Sequence, residues 1–239
     1  MSPVETMPRE HPDGYLRHLR IAKRRPDWSG LRVLAVGDRG FEMCQYLRGA
    51  EITVVDVRSA PRVPQGHHFI CEDFSCSRLP DRSFDVVVAN DVLEHVPRAR
   101  RGAFLANAAR VADVEAIVAF PCGSDAAAIE SIITRSRTRT AFRSALMEHA
   151  ALGLPTLEEV RADVDAVGLA YSIEPLSTVA EWLLSYVLHP DDEQYALVEE
   201  YCSIVNSGLP SDPGLGAPYR WVVRIDCRPG PKPTRRQSS

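Results

Sequence analysis

The sequence lacks a long apolar run. No window of its 239 residues approaches the roughly 18 consecutive apolar residues that a membrane-spanning helix needs. The N-terminal residues MSPVETMPREHPDG also lack the apolar core of a secretory signal peptide. We therefore expect no membrane contact and a location in the cytoplasm.

Paired cysteines are missing as well. The six cysteines form no C-x-x-C pair, and no nearby histidine gives the spacing of a zinc finger. Without an export signal, a disulfide framework is not expected, because thiols stay reduced in the cytoplasm. The sequence alone therefore predicts neither a disulfide scaffold nor a metal site.

An excess of positive charge is also absent. The net charge is −4, and the last twelve residues hold four basic residues and no acid, so the rest of the chain is more acidic than the whole. Nucleic-acid binders usually carry a basic surface, so we do not expect a nucleic-acid partner. With 45% hydrophobic and 25% charged residues, the composition is that of an ordinary globular domain.

What is present is an alternation of short apolar strands with helical segments. The strands are predicted at 31–37, 51–56, 67–73, 84–90 and 115–120, with helices over 15–25, 41–48 and 98–112. This spacing is typical of repeated βαβ units, which form a mostly parallel sheet covered by helices on both faces. In the second half, we predict helices within 125–150, from 156, over 178–188 and over 191–206, and strands at 169–174 and 219–226.

The chain is expected to fold as one main domain. Residues 1–27 are predicted to form an N-terminal arm and helix, and residues 28–226 a single α/β domain. Residues 227–239 (CRPGPKPTRRQSS) are predicted to be a disordered tail, because they have too few apolar residues to pack.

The residues that end the strands carry the chemistry. Parallel sheets bind ligands outside the carboxyl ends of their strands. Glycines in the first turn let a backbone approach a ligand closely, and an acid at the end of the next strand can accept the hydroxyl hydrogen bonds of a ribose. The cofactor-binding candidates are Gly37, Asp38, Arg39, Gly40, Asp56, Val57, Asp73, Phe74 and Asn90. The alternative for Asp56 and Asp73 is that they are ordinary strand-end or turn acids.

Two common nucleotide patterns do not occur. From Gly37 the sequence reads GDRGFE, which lacks the second and third glycines of the dinucleotide pattern G-x-G-x-x-G. This disfavours NAD, although an NAD(P) reductase stays open as a minor alternative. The phosphate-binding pattern that ends in Gly-Lys-Ser/Thr is missing too.

Four stretches carry a family resemblance: VLAVGDRG (33–40), VVD (54–56), CEDFSCSRLPDRSFDVVVANDVLEHVP (71–97) and EAIVAFPCGS (115–124). They resemble class I S-adenosylmethionine-dependent methyltransferases, most closely the small-molecule group labelled type 11. The resemblance implies a Rossmann-like, seven-stranded, mostly parallel sheet whose last strand is antiparallel. It also implies that S-adenosylmethionine is the cofactor. The Gly37–Gly40 turn and Asn90 would then face its methionine part, Asp56 its ribose, and Asp73 with Phe74 its adenine.

Two positions depart from the family pattern. Ala35 stands where the family usually has an acid, and Arg39 where it usually has glycine. These departures leave an alternative open: a protein with this fold that binds the cofactor or a small ligand without transferring a methyl group.

His95 and His149 are the candidate catalytic residues. His95 follows the fourth strand, where a methyl acceptor is expected, and the pKa of histidine suits a general base for a hydroxyl; a structural role is the alternative. His149 belongs to residues 125–215, which we expect to cover the acceptor. The sequence therefore predicts a methyltransferase acting on a small molecule, most simply at a hydroxyl oxygen, with a homodimer left open.

Overall fold

The computed structural model describes residues 12–60, 62–135, 143–187 and 216–228. Seven strands make one sheet: β1 (Arg32–Val36), β2 (Glu51–Asp56), β3 (His68–Cys71), β4 (Phe84–Asn90), β5 (Ala112–Pro121), β6 (Tyr171–Thr178) and β7 (Pro218–Asp226). The helices of the described residues are α1 (Pro12–Ala22), α2 (Arg101–Val111), α3 (Gly123–Arg135), α4 (Arg143–Leu152), α5 (Leu157–Val167) and α6 (Val179–Val187).

The sheet has the order β3-β2-β1-β4-β5-β7-β6. Strands β1 to β5 are parallel to one another, whereas β7 lies antiparallel between β5 and β6. The sheet is therefore mixed, with a reversed last strand, and this confirms the predicted fold class. Because the chain order reverses between β1 and β4, the carboxyl ends of these two strands flank the switch point of the sheet.

Both faces of the sheet are buried, which explains why its strands are almost wholly apolar. Side chains of β1 alternate between the faces, and Leu34 packs on one face with Phe104 of α2 and Val160 of α5. On the other face, Val33 packs with Ile21 of α1. Helices thus cover both faces, as the alternation of elements predicts.

The segment after β1 differs from the prediction. A helix is predicted over 41–48, but the chain forms only a 3₁₀ turn at Glu42–Gln45. Phe41 adopts a left-handed conformation with φ of 58°, which keeps an α-helix from beginning there. The Asp38 side chain accepts hydrogen bonds from the backbone N–H groups of Glu42 and Met43, at 2.9 Å each.

A third apolar cluster lies beyond the sheet. Trp182 of α6 stacks on Tyr219 at the start of β7, with ring centroids 4.5 Å apart, and Leu146 of α4 packs with both. Because β7 is antiparallel, its start lies at the carboxyl edge of the parallel strands. This cluster therefore anchors α4 and α6 at that edge.

Most of the remaining predictions fall on described residues. The predicted helix start at Thr156 is confirmed, because Thr156 and Glu159 form a reciprocal capping box. The predicted helix over 191–206 and nearly all of the predicted tail lie outside the described residues. Among the helices of the described residues, none combines the length and apolarity required to span a membrane.

Candidate active site

A cavity of about 730 Å³ lies at the carboxyl edge of the parallel strands. Its lining comes from residues that end or follow β1, β2, β3 and β4, from Phe104 of α2 and from one side of α4. Topology alone brings these segments together, because the carboxyl ends of parallel strands meet at one edge of the sheet.

The turn after β1 requires glycine at its first position. Gly37 has φ of +77°, and a Cβ atom there would lie 2.5 Å from Cγ2 of Val92. The next residue, Asp38, accepts two hydrogen bonds from backbone N–H groups of the 3₁₀ turn, and these bonds lower the pKa of its carboxyl. Burial has the larger and opposite effect and raises this pKa to about 7. Gly37 lines the main cavity, whereas Arg39 and Gly40 line neither it nor the small cavity beside it.

Asp56 ends β2 and is only 8% exposed. One of its carboxylate oxygens, Oδ1, accepts a hydrogen bond from the backbone N–H of Arg58 at 2.7 Å, which holds the side chain in position. Val57 follows on the lining and is 65% exposed, so it lies at the rim of the cavity. A buried acid at the end of the second strand is what recognition of a ribose requires.

Asp73 and Phe74 follow β3. Asp73 Oδ1 accepts hydrogen bonds from the backbone N–H and the hydroxyl of Ser75, at 2.9 and 2.6 Å, while Oδ2 accepts one from Arg100 at 2.7 Å. These bonds to Ser75, together with Arg100, lower the pKa of Asp73 despite partial burial. Phe74 packs edge-on against Phe104, with centroids 5.2 Å apart, and both rings line the cavity. This part of the cavity suits a flat heterocycle, since aromatic rings favour such packing.

Asn90 ends β4 and faces a smaller cavity of about 40 Å³ beside Gly37. Among the described residues, neither atom of its side-chain amide has a hydrogen-bond partner, although both are buried. Leaving a buried polar group unpaired costs about 1–3 kcal/mol, so such a group usually serves a ligand or an ordered water. The amide is thus available to polar groups of a bound molecule.

Asp91 has a left-handed φ of 57° and joins a buried ion cluster that the sequence did not predict. Its carboxylate accepts two hydrogen bonds from Arg220 and one from Arg17, each 2.6 Å long. Arg220 is 1% exposed and also binds Asp13 of α1. Burial alone would raise the pKa of Asp91, but Arg220 and Arg17 outweigh it and hold that pKa well below its usual value.

His95 and His149, the two histidines predicted to serve the acceptor, are in contact. Their Nε2 atoms lie 3.2 Å apart. The Nδ1 atom of His95 lies 2.9 Å from the carboxylate of Glu148, and the Nδ1 atom of His149 lies 3.0 Å from that of Glu130. Glu130 also accepts a hydrogen bond from the hydroxyl of Tyr219 at 2.7 Å. Burial and the adjacent His149 lower the pKa of His95 against the opposing effect of Glu148.

The structure therefore groups most of the predicted residues. Gly37, Asp56, Val57, Asp73, Phe74 and His95 line the main cavity; Asp38 and Asn90 line the small one with Gly37. His149 lies behind His95, whereas Arg39 and Gly40 stand apart. Their roles in binding and catalysis stay predictions.

The sheet order, the reversed β7 and the acid at the end of β2 define the class: this is the fold of the class I S-adenosylmethionine-dependent methyltransferases. Residues 34–120 match the sequence model of the family described as "Methyltransferase domain". The fold and this match confirm the predicted resemblance. They support a methyltransferase of the class whose cofactor is S-adenosylmethionine. Among curated proteins, no sequence matches.

Solved structures agree on the fold. A SAM-dependent methyltransferase from Archaeoglobus fulgidus has 17% identity and a TM-score of 0.55, with 89% of this chain and 94% of that chain covered. Magnesium protoporphyrin IX methyltransferase of Synechocystis PCC 6803, solved with bound S-adenosylhomocysteine (SAH), has 15% identity and a TM-score of 0.51 over 91% and 81%. The 4+2 cyclase SpnF has 14% identity and a TM-score of 0.54 over 90% and 82%.

Proposed function

We propose that this methyltransferase transfers the methyl group of S-adenosylmethionine to a hydroxyl oxygen of a small molecule. The observation that carries the proposal is the composition of the main cavity. It joins a buried acid and an aromatic slot at the ends of β2 and β3 to an imidazole at the end of β4. The first part suits a nucleoside, and the second suits an acceptor that must lose a proton.

The residues present fit the cofactor. Gly37 lines the cavity at the end of β1 without a side chain of its own, and Asp56 offers a buried carboxylate for ribose hydroxyls. Asn90 has a buried amide without a partner among the described residues. When bound, S-adenosylmethionine supplies a methyl group on a positively charged sulfur, so the protein chiefly has to align the reactants and exclude water.

The acceptor side is formed by His95 and α4. Ser144, Ala145 and Glu148 of α4 line the cavity together with His95. The lowered pKa of His95 favours its neutral form near pH 7, and a neutral imidazole can help a hydroxyl lose its proton. Residues 125–215, which include α4, are proposed to shape the acceptor pocket, because specificity on a common fold is set by its variable segments.

A second candidate function is a reaction other than methyl transfer, or ligand binding without a reaction. The similarity to a 4+2 cyclase supports it, because that protein shares the fold. Ala35 supports it too: it is buried in β1, at the position where the family usually carries an acid.

Transfer of a labelled methyl group tests the proposal. The purified chain is incubated with methyl-labelled S-adenosylmethionine and with panels of phenols, aliphatic alcohols, amines and thiols. We expect label on hydroxyl acceptors. His95→Gln should lower that turnover by about 10²-fold, within the range that positioned proton transfer contributes, with the affinity for SAH nearly unchanged.

His68→Gln is the matched control. His68 also lies beside a carboxylate, 3.6 Å from Glu51, but its side chain is 65% exposed and lies outside the cavity. This variant should keep full turnover. Label found only on amines or thiols, or a fully active His95→Gln enzyme, would contradict the proposed hydroxyl chemistry. Ligand binding with no labelled product in any panel would favour the second candidate.

A further inference from the structure

The contact between His95 and His149 has an unusual arrangement. Each imidazole is held at Nδ1 by a carboxylate, Glu148 for His95 and Glu130 for His149. An ionised carboxylate only accepts hydrogen bonds, so each Nδ1 carries a proton, and each imidazole in its neutral form presents a lone pair at Nε2. The two lone pairs then face each other across 3.2 Å. Such a pair repels unless a positive centre lies between the nitrogens.

A third group points to the same place. Glu94 is 1% exposed, and among the described residues neither of its carboxylate oxygens has a hydrogen-bond partner. Glu94, His95 and His149 each offer one ligand atom, and these three atoms lie within 4.8 Å of one another. Burying a carboxylate without a partner is costly, and a bound cation removes that cost.

We propose that Glu94, His95 and His149 bind one divalent transition-metal cation of the Zn²⁺ type. Two Zn–N bonds of about 2.0–2.1 Å that join nitrogens 3.2 Å apart enclose an angle of about 100°, which is close to tetrahedral. Two histidines and one carboxylate form a ligand set of catalytic zinc sites. Glu130 and Glu148 act as the outer carboxylates that orient metal-bound histidines through Nδ1.

The site keeps a position for a further ligand. Three protein ligands leave at least one coordination position of Zn²⁺ open, and His95 lines the main cavity whereas Glu94 and His149 lie behind it. The use of the ion rests on the proposed function and refines it: with Nε2 of His95 bound to the metal, the ion takes the place of the free imidazole in helping the hydroxyl to lose its proton. A hydroxyl bound to the open position would have a lowered pKa and would release its proton to water before methyl transfer, with no change in the oxidation state of the metal.

Metal binding is measured directly on the full chain, without an affinity tag and after removal of metals with a chelator. Zn²⁺ is titrated calorimetrically, and Co²⁺ is titrated by visible absorption, which reports the geometry of the site. We expect one ion per chain and a Co²⁺ spectrum of nitrogen and oxygen ligands. Thiolate absorption would instead indicate binding at Cys71 or Cys76, which are exposed.

Three variants locate the site. His95→Gln, His149→Asn and Glu94→Gln each remove one ligand and should weaken Zn²⁺ binding by more than the roughly 10–100-fold that loss of an outer-shell partner costs. His68→Gln, beside Glu51, should bind as the wild type does. Circular dichroism checks the fold of each variant. If the His149→Asn variant does not fold because His149 is buried, the result for His95→Gln, at a partly exposed residue, decides whether these residues bind the metal.

The proposal is overturned if the wild type binds none of Zn²⁺, Co²⁺, Ni²⁺ and Mn²⁺ stoichiometrically, or if the folded His95→Gln protein binds them unchanged. A proton shared by the two imidazoles would produce the first outcome. Because neither titration uses S-adenosylmethionine or an acceptor, failure of the metal site is distinguishable from failure of the proposed methyl transfer.

Discussion

Arg220 is among the largest of the fully buried side chains in the described part of the chain. It binds Asp91 on one side and Asp13 on the other, so it links β7 to the end of β4 and to α1. Removing one partner of a buried ion pair leaves the other charge without compensation. Arg220→Ala should therefore lower the free energy of unfolding by about 3–5 kcal/mol, measured by chemical denaturation.

Arg228→Ala is the control for that experiment. Arg228 binds Asp226 at 2.6 Å, but its side chain is 69% exposed, so water screens the pair and its loss should leave the free energy of unfolding nearly unchanged. Equal losses of unfolding free energy in the two variants would contradict the claim that burial makes the ion pairs of Arg220 important for stability.

Asp38 provides a pH-dependent prediction. Its pKa is about 7 in the folded chain, above the ordinary value of 3.8, so the folded state binds the proton more tightly than the unfolded state does. The stabilisation is fully present below about pH 4 and is lost as the pH rises through 7. The contribution of Asp38 to the free energy of unfolding should fall over this window by at most about 1.4 kcal/mol per pH unit.

Asp38→Asn removes this titration. Denaturation curves of the wild type and the variant between pH 4 and 8 should differ by an amount that changes with pH. Parallel curves would contradict the raised pKa of Asp38.

At the scale of elements, strands were easier to predict than the segments that join them. β2 and β4 begin and end where the apolar runs predict, because both faces of these strands are buried. The predicted helix over 41–48 is wrong, because Asp38 binds the backbone N–H groups and Phe41 takes a left-handed conformation. Neither effect has a periodic signal in the sequence.

The site shows the same division. Asp56 and Asp73 were predictable because strand ends can be read from hydropathy. The contact between His95 and His149, which are 54 residues apart, depends on how α4 packs. The pairing of Asp91 with Arg220, 129 residues apart, depends on the position of β7 in the sheet. Pairs this far apart have no local pattern, so only the fold reveals them.

Helix α4 carries a prediction about motion. Residues 125–155 are predicted to cover the acceptor and to open more readily than the sheet, as segments that close over ligands usually do. In hydrogen exchange, amides of α4 should exchange faster than those of β4 and slow when cofactor and acceptor are both bound. Protection of α4 equal to that of β4 in the free protein would contradict a covering role.

At the scale of the whole molecule, the sheet explains why the two halves of the site are separate. The ends of β1 to β4 carry the residues proposed for the cofactor. The residues proposed for the acceptor lie in α4 and in the segment that follows β4. The account therefore predicts that changes at Asp56 affect cofactor affinity and that changes at His95 affect turnover.

Calorimetric titration of SAH into the wild type, Asp56→Ala and Asp226→Ala tests this account most directly. Asp226 is the control, because its exposed carboxylate lies beside Glu115 at the opposite edge of the sheet. We predict one binding site in the wild type and in Asp226→Ala. In Asp56→Ala the binding free energy should weaken by about 2–3 kcal/mol, since ribose hydroxyls lose a buried charged acceptor. No binding to the wild type, or equal affinity in a folded Asp56→Ala variant, would contradict the account.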